Sequence, residues 1–347
     1  MQIPLGIMLD RLSFRFVTFI AITMASIGTF AFVASDNWNF ILFSRFLIGA
    51  GSGVAFLSVA KITKTYFPEK YHSLLLGFAF TFGLIGAVFG VTPMKMMFDY
   101  FGYNDTFTSL AIVGLSIAFL MLVLGKTEKT EQAKDNMLSQ IINLVLDPKI
   151  ILIGVSGGLM VGALEGFADV WAIPFFKQAY NMTDIESSIV TSFVYIGMCF
   201  GGPILAVAAS MVRSTNFMIF ITGILTVAIF IILFWFIKLS FVTSSVLMFF
   251  LGILCCYQVL VFAVVSSYVP ESSAGLSIAI TNCINMSFGH FFHIMIGRII
   301  HNNWDGAVSE LGRALYTREN FIESLAVIPI CCFIGLFGFA YLAAKKK

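Results

Sequence analysis

Gly6-Ile7-Met8-Leu9-Asp10-Arg11-Leu12-Ser13-Phe14-Arg15 gathers three charges into six positions, and then none follows from Phe16 to Ser35. About 20 largely apolar residues in a helix cross roughly 30 Å of hydrocarbon, and this run supplies them. Backbone polar groups in hydrocarbon must satisfy one another, so the run reads as a helix and not a strand. The charged decapeptide then marks one edge of a membrane.

Working outward, the same pattern recurs. Ten apolar segments lie at about 14–34, 38–60, 73–94, 106–124, 150–172, 187–211, 216–237, 243–267, 274–297 and 324–343. Of the 347 residues 59% are hydrophobic and 11% charged, with a mean hydropathy of +0.97. Soluble domains carry about 25% charged residues. Soluble, nucleic-acid-binding and disordered classes are therefore excluded, and the fold class is an all-α polytopic membrane protein. Cys199, Cys255, Cys256, Cys283, Cys331 and Cys332 all sit inside apolar runs with no CxxC pair, so they read as small hydrophobes and not as a metal or disulfide framework.

Orientation follows from Lys and Arg. Thirteen fall on one side: Arg11, Arg15, Lys61, Lys64, Lys70, Lys126, Lys129, Lys134, Lys149, Arg213 and Lys345 to Lys347. Five fall on the other: Lys177, Lys238, Arg298, Arg313 and Arg318. The richer side is expected to be cytoplasmic, with both termini inside and the chain in the inner (plasma) membrane. Trp38, Trp171, Trp235 and Trp304 fall at the opposite ends of their segments, as an interfacial belt would. Arg45 and Lys95 fall within spans. Residues 125–149 form a charged cytoplasmic linker, with Asp135 to Leu146 expected as a surface helix. It separates a four-span bundle (1–124) from a six-span bundle (150–347).

The opening decapeptide resembles the signature loop of the major facilitator superfamily, Gly-x-x-x-Asp-Arg-x-Gly-x-Arg. Gly6, Asp10, Arg11 and Arg15 match, and Ser13 replaces a glycine. Arg45-Phe46-Leu47-Ile48-Gly49-Ala50-Gly51 is similar to that family's Arg-x-x-x-Gly-x-Gly. The loop Tyr66-Phe67-Pro68-Glu69-Lys70 and the corner Phe101-Gly102-Tyr103 fit by context. The resemblance implies two six-helix bundles rocking about a midplane cavity, with Gly6, Asp10, Arg11 and Arg15 as the cytoplasmic gating motif. If Gly6 ends the second helix, helix one and most of helix two are missing, and a complete member would carry about 45–60 further residues at the front. The second-half copy of the loop is degraded: Gly202-Pro203 begins it, but Ser210-Met211-Val212-Arg213 lacks the acidic residue. The Gly-Pro antiporter signature is not met, the nearest prolines being Pro93 and Pro203, which disfavours drug/proton exchange. Ala163-Leu164-Glu165-Gly166-Phe167-Ala168-Asp169-Val170-Trp171, with Trp304-Asp305-Gly306, is similar to the phagosomal amino-acid and nucleoside transporters of intracellular gamma-proteobacteria. The lysosomal dipeptide-transporter branch stays open beside it.

Charged and amide groups inside spans are the candidate working residues, because each is costly there. Arg45 reads as a cavity-facing cation for a carboxylate, or as a structural link to a backbone carbonyl. Glu165 and Asp169, four apart, share a helical face. A carboxyl partly buried there suits a proton carrier or a partner for a substrate amine, although Asp169 also fits a solvated interface. Asn282 and Asn285 could bind a polar solute or join helices. Gln258 and Tyr195 offer the same choice. His290 and His293 fit packed or interfacial positions better than a titrating role.

The expected function is secondary active transport of a small polar solute, an amino acid first and a small peptide or nucleoside next, by proton-coupled uptake. No Gly-x-x-x-x-Gly-Lys-Ser/Thr loop is present to support direct nucleotide drive. No cofactor, metal, enzymatic activity or nucleic-acid partner is expected beyond the proton gradient and the lipid bilayer, and the chain is expected to act as a monomer. The alternatives are a non-transporting sensor with the same fold and an inactive truncated transporter.

Overall fold

Each apolar run read from the sequence is helical over most of its described length in the computed structural model. The structure describes Met8 and residues 12–55, 58–59, 62, 66–125, 137–212, 214–236, 238–308 and 314–345. Among these residues no strand forms, and an isolated antiparallel bridge joins Val308 to Ala314. The chain divides into two compact units. One is Met1–Gly86 with Pro93–Met137, the other Ala87–Thr92 with Leu138–Lys347.

The first unit is built from α1 (Phe14–Val33), α2 (Trp38–Ser52), α3 (Glu69–Phe89), α4 (Thr92–Phe101) and α5 (Tyr103–Leu124). Asn37 starts α2 by accepting from the Asn39 and Phe40 amides at 3.0 and 3.3 Å, which satisfies two of the donors that a helix start leaves open. α1 packs on both α2 and α5. A Cβ on Gly51 would run into the Ala21 carbonyl oxygen, so α1 and α2 meet at backbone distance.

Two expectations are corrected in this unit. The segment expected at 73–94 is not one straight span: its last turns, Phe82–Phe89, meet Thr92–Phe101 at 43°. Pro93 sits in the first turn of α4, where a missing N–H is tolerated, and it cannot continue the ladder of α3. Lys95, expected within a span, instead pairs with Asp99 at 2.9 Å on the outer face of α4. The Phe101-Gly102-Tyr103 corner is real. Gly102 has φ 84°, a left-handed conformation that favours glycine, and it turns α4 into α5.

The second unit begins with α6 (Met137–Val145), the described part of the expected surface helix; residues 126–136 of the linker lie outside the described residues. It continues through α7 (Pro148–Met160), a 3₁₀ turn (Val161–Ala163), a π-helical turn (Leu164–Trp171) and α8 (Ala172–Tyr180). Then come α9 (Asp184–Met211), α10 (Thr215–Trp235), α11 (Phe241–Cys255), α12 (Tyr257–Ser266), α13 (Glu271–Asn302), α14 (Arg318–Leu325) and α15 (Val327–Lys345). Asp147 caps α7, with Pro148 at its first position. A reciprocal Thr183–Glu186 capping box starts α9. The run Pro148–Tyr180 is 33 residues long, eight beyond the expected end at 172. Fully buried Phe167, Phe175, Phe176 and Phe230 anchor its far end in an aromatic cluster with edge-to-face contacts.

Seven helical runs among the described residues are long and apolar enough to cross a membrane, or eight if the bent pair is one span, against the ten expected. α2 leads into undescribed residues. α13 has the length, but its asparagines and histidines lower its hydropathy. That polarity shapes the site.

Candidate functional site

The π-helical turn is where the local sequence departs from α-helix. Pro174 has no N–H to offer the Val170 carbonyl, and its ring crowds that carbonyl. Gly162 and Gly166 further weaken the α-helical preference just before it. The chain answers with a 3₁₀ turn followed by the wider π turn, and Leu164 at their junction has φ −89° and ψ −71°. Such π turns are rare and recur at functional positions.

Glu165 and Asp169 both stand on that turn, close enough to feel each other's charge. The sequence expectation of a shared face holds, on a π turn in place of an α-helix. α13 runs alongside in the same direction, since Gly154 faces Ile284, Gly158 faces Phe288 and Gly162 faces Phe292. In this register Glu165 lies against Gly289, where an added Cβ would sit 3.2 Å from Glu165 Cβ and 3.3 Å from Oε2. Gly289 therefore leaves the room that the carboxylate occupies.

Tyr195 reaches the turn from α9 and donates its hydroxyl hydrogen to Asp169 Oδ1. His293, one turn beyond Gly289 on α13, lies within electrostatic reach of Asp169. Its Nδ1 is buried with no hydrogen-bond partner among the described residues. His293 thus joins the carboxylates, which the sequence disfavoured, while His290 is exposed. Cys255 at the end of α11 and Tyr257 at the start of α12 also lie within electrostatic reach of Glu165.

The two asparagines separate. Asn285 is fully buried beside Gly157, and its Oδ1 and Nδ2 both lack a partner among the described residues. Asn282 is half-buried. Gln258 is half-buried with Nε2 unpartnered, while its neighbour Tyr257 donates to the Gly157 carbonyl at 2.7 Å. The second unit therefore collects Glu165, Asp169, Tyr195 and His293 at one level of α13, and Asn285 one turn from Gly289.

Sequence reasoning missed Tyr257, Thr281 and Cys255. Thr281 carried a signal, one helical turn before Asn285. Cys255 and Tyr257 carried none, because only the fold brings α11 and α12 against α7.

In the first unit Arg45 is exposed, with its guanidinium carbon 4.3 Å from the centroid of the Phe32 ring. Arg15 donates from Nη2 to the Leu122 carbonyl in the last turn of α5, where a cation suits the open carbonyls. Gly6, Asp10 and Arg11 lie outside the described residues. A cleft of about 320 Å³, lined by Thr18, Ser26, Thr29, Gly51 and Gly114 among others, lies between α1, α2 and α5.

Residues 1–292 match the sequence pattern described as the Major Facilitator Superfamily. The uncharacterized protein Cj0987c of Campylobacter jejuni is 30% identical over 126 residues, covering 36% of this chain and 39% of that protein. The vesicular acetylcholine transporter of Drosophila melanogaster is 27% identical over 198 residues, covering 56% of this chain and 32% of its own length. The uncharacterized transporter YybO of Bacillus subtilis is 23% identical over 230 residues, covering 58% and 52%. The matches thus span about a third to a half of these curated relatives. Among solved structures, a bacterial homolog of the human lysosomal transporter Spinster, inward-facing and unoccupied, superposes with a TM-score of 0.73 at 13% identity, covering 98% of this chain and 86% of that one. The Escherichia coli fucose:proton symporter FucP gives 0.65 at 12% identity, with coverage of 98% and 86%. At those identities the likeness is one of fold.

Proposed function

Because the chain belongs to the Major Facilitator Superfamily, we propose that it carries a small polar solute across the inner membrane by alternating access, in uptake coupled to protons. One observation carries this reading: two carboxylates on a π-helical turn inside an apolar span, with Tyr195 and His293 gathered onto Asp169. Insertion of a charged side chain at mid-membrane costs about 2.5–3.5 kcal/mol, so a pair of them at one level is a functional feature before it is a structural one.

Glu165 takes the proton or pairs with a substrate amine, and Asp169 is held in position by Tyr195. An amine-bearing solute suits this acidic turn, an amino acid first and a small peptide or nucleoside next. The acetylcholine in one relative's name favours an amine, and the proton in the name of the fucose symporter favours the coupling. Arg45 is the intramembrane cation that the sequence offers for a solute carboxylate. The string from Ala163 to Trp171 supports placement beside the phagosomal amino-acid and nucleoside transporters. The excess of Lys and Arg on one side supports cytoplasmic termini. The transporter works as a monomer and needs no cofactor.

The test is uptake of labelled amino acids into proteoliposomes under an imposed proton gradient. Wild type should accumulate solute. Glu165→Gln should lose accumulation while retaining solute–solute exchange. If Glu165→Gln takes up solute at the wild-type rate and with the wild-type pH dependence, the coupling role is wrong.

A further inference from the structure

α13 carries a second polar feature that the acidic turn does not use. Ser277, Thr281 and Asn285 follow one another at four-residue spacing and are all fully buried at 0% exposure. The next position in that series is Gly289, against which Glu165 lies. One face of the helix therefore runs polar from Glu165 toward the helix start. Beyond Gly289 the same face turns apolar, with Phe292, Ile296 and Ile300 buried.

Thr281 Oγ1 and both polar atoms of the Asn285 amide have no hydrogen-bond partner among the described residues. Buried polar groups are nearly always partnered by protein or by ordered water, so two neighbouring residues with three orphaned atoms need a common explanation. Four residues of α-helix rise about 6 Å. That is about twice a hydrogen-bond length, too far for direct contact and the span of one bridging water. The surroundings fit. Gly157 opposite Asn285 offers no side chain, and a Cβ there would lie 3.3 Å from Oδ1 and from Val261. The Gly157 carbonyl, held by Tyr257, adds a polar surface on the same side.

We infer that Thr281 and Asn285 hold ordered water within the contact of α7, α12 and α13, forming a hydrogen-bonded file along which Glu165 exchanges its proton toward the N-terminal end of α13. The inference deepens the transport reading by giving the proton a route that enters on one side. The titratable groups facing Glu165 are Asp169 on its own turn, Tyr195 on α9, Cys255 on α11 and Tyr257 on α12, with His293 on α13 facing Asp169. None of them stands at the Thr281 level, so a change there reports on the file and not on the acidic cluster.

Thr281→Val keeps the shape and removes the hydroxyl. Hydrogen–deuterium exchange of the Glu165 carboxyl is followed by infrared spectroscopy in the reconstituted protein, the band being the one lost in Glu165→Gln. Thr281→Val should slow this exchange about tenfold, since a proton-relay group is removed. Gradient-driven accumulation should fall in step while solute–solute exchange continues, and Thr281→Ser should restore the wild-type exchange rate. Thr281→Ala provides the same removal should the valine variant not fold. Exchange in the valine or alanine variant as fast as in wild type, or a raised melting temperature with unchanged exchange, would mean dry packing and overturn the inference. A serine variant as slow as valine would overturn it too. The infrared reading needs no transport, so a wild type that moves no solute would sink the transporter reading and leave the water file decided on its own evidence.

Discussion

Tyr195 on α9 donates its hydroxyl hydrogen to Asp169 Oδ1 on the π-helical turn, joining two spans across 26 residues of sequence. Tyr195 is itself buried, so this bond fixes the carboxylate from the side of the protein interior. Tyr195→Phe removes only the O–H. The variant should fold, lose about 1 kcal/mol of stability, and bind solute more weakly. Thermal unfolding in detergent and the KM of uptake check the two effects separately, and an unchanged KM would detach Tyr195 from the site.

α9 and α11 meet backbone to backbone: a Cβ on Gly252 would collide with the Val194 carbonyl, and one on Gly197 with the Phe249 carbonyl. Gly252→Ala should therefore cost about 1–3 kcal/mol by overpacking, seen as a lowered melting temperature. Gly202→Ala, where a Cβ meets nothing within 4 Å, is the control and should leave it unchanged.

Arg15 reaches from the start of α1 to the Leu122 carbonyl at the end of α5. Arg15→Ala should lower stability by about 1–2 kcal/mol, combining the lost hydrogen bond with the lost charge at a helix C-terminus. Arg15→Lys should recover part of it. Guanidinium unfolding of the two variants decides, and equal loss in both would show that the fork geometry matters more than the charge.

At the start of α9 the Thr183 hydroxyl accepts from the Glu186 amide at 3.2 Å, while Glu186 Oε2 accepts from the Thr183 amide at 2.8 Å. Thr183→Ala should cost about 1 kcal/mol. Faster amide exchange confined to residues 184–187 would confirm a local effect, and fraying across the whole of α9 would contradict it.

Much of the architecture was legible because the membrane imposes a single rule on the backbone. Runs of about 20 apolar residues had to be helices, and they are. The boundaries were less legible where polar chemistry intervened. Pro93 breaks α3 from α4, and Phe175 and Phe176 carry the run from Pro148 well beyond its expected end, since a buried aromatic cluster is as apolar as lipid. Within the site, Glu165 and Asp169 could be placed on one face from spacing alone. That Tyr195 and His293 join Asp169, and that Asn285 but not Asn282 is fully enclosed, depended on helix rotation. Rotation is set by packing, here by Gly157, Gly158 and Gly162 against the large side chains of α13. A hydropathy pattern carries little of that, because α13 is mixed on all sides.

The π-helical turn also determines which changes in chain length this span can absorb. A π turn holds its residues as a surplus over ordinary helical winding. Deleting one residue between Leu164 and Trp171 would remove that surplus and rewind the span as α-helix. Everything beyond would then rotate by about 100° relative to α7. Phe175 and Phe176 would swing out of their aromatic core. The two carboxylates and the aromatic anchor are therefore matched in phase, and the span can tolerate a substitution far more readily than a change in its length.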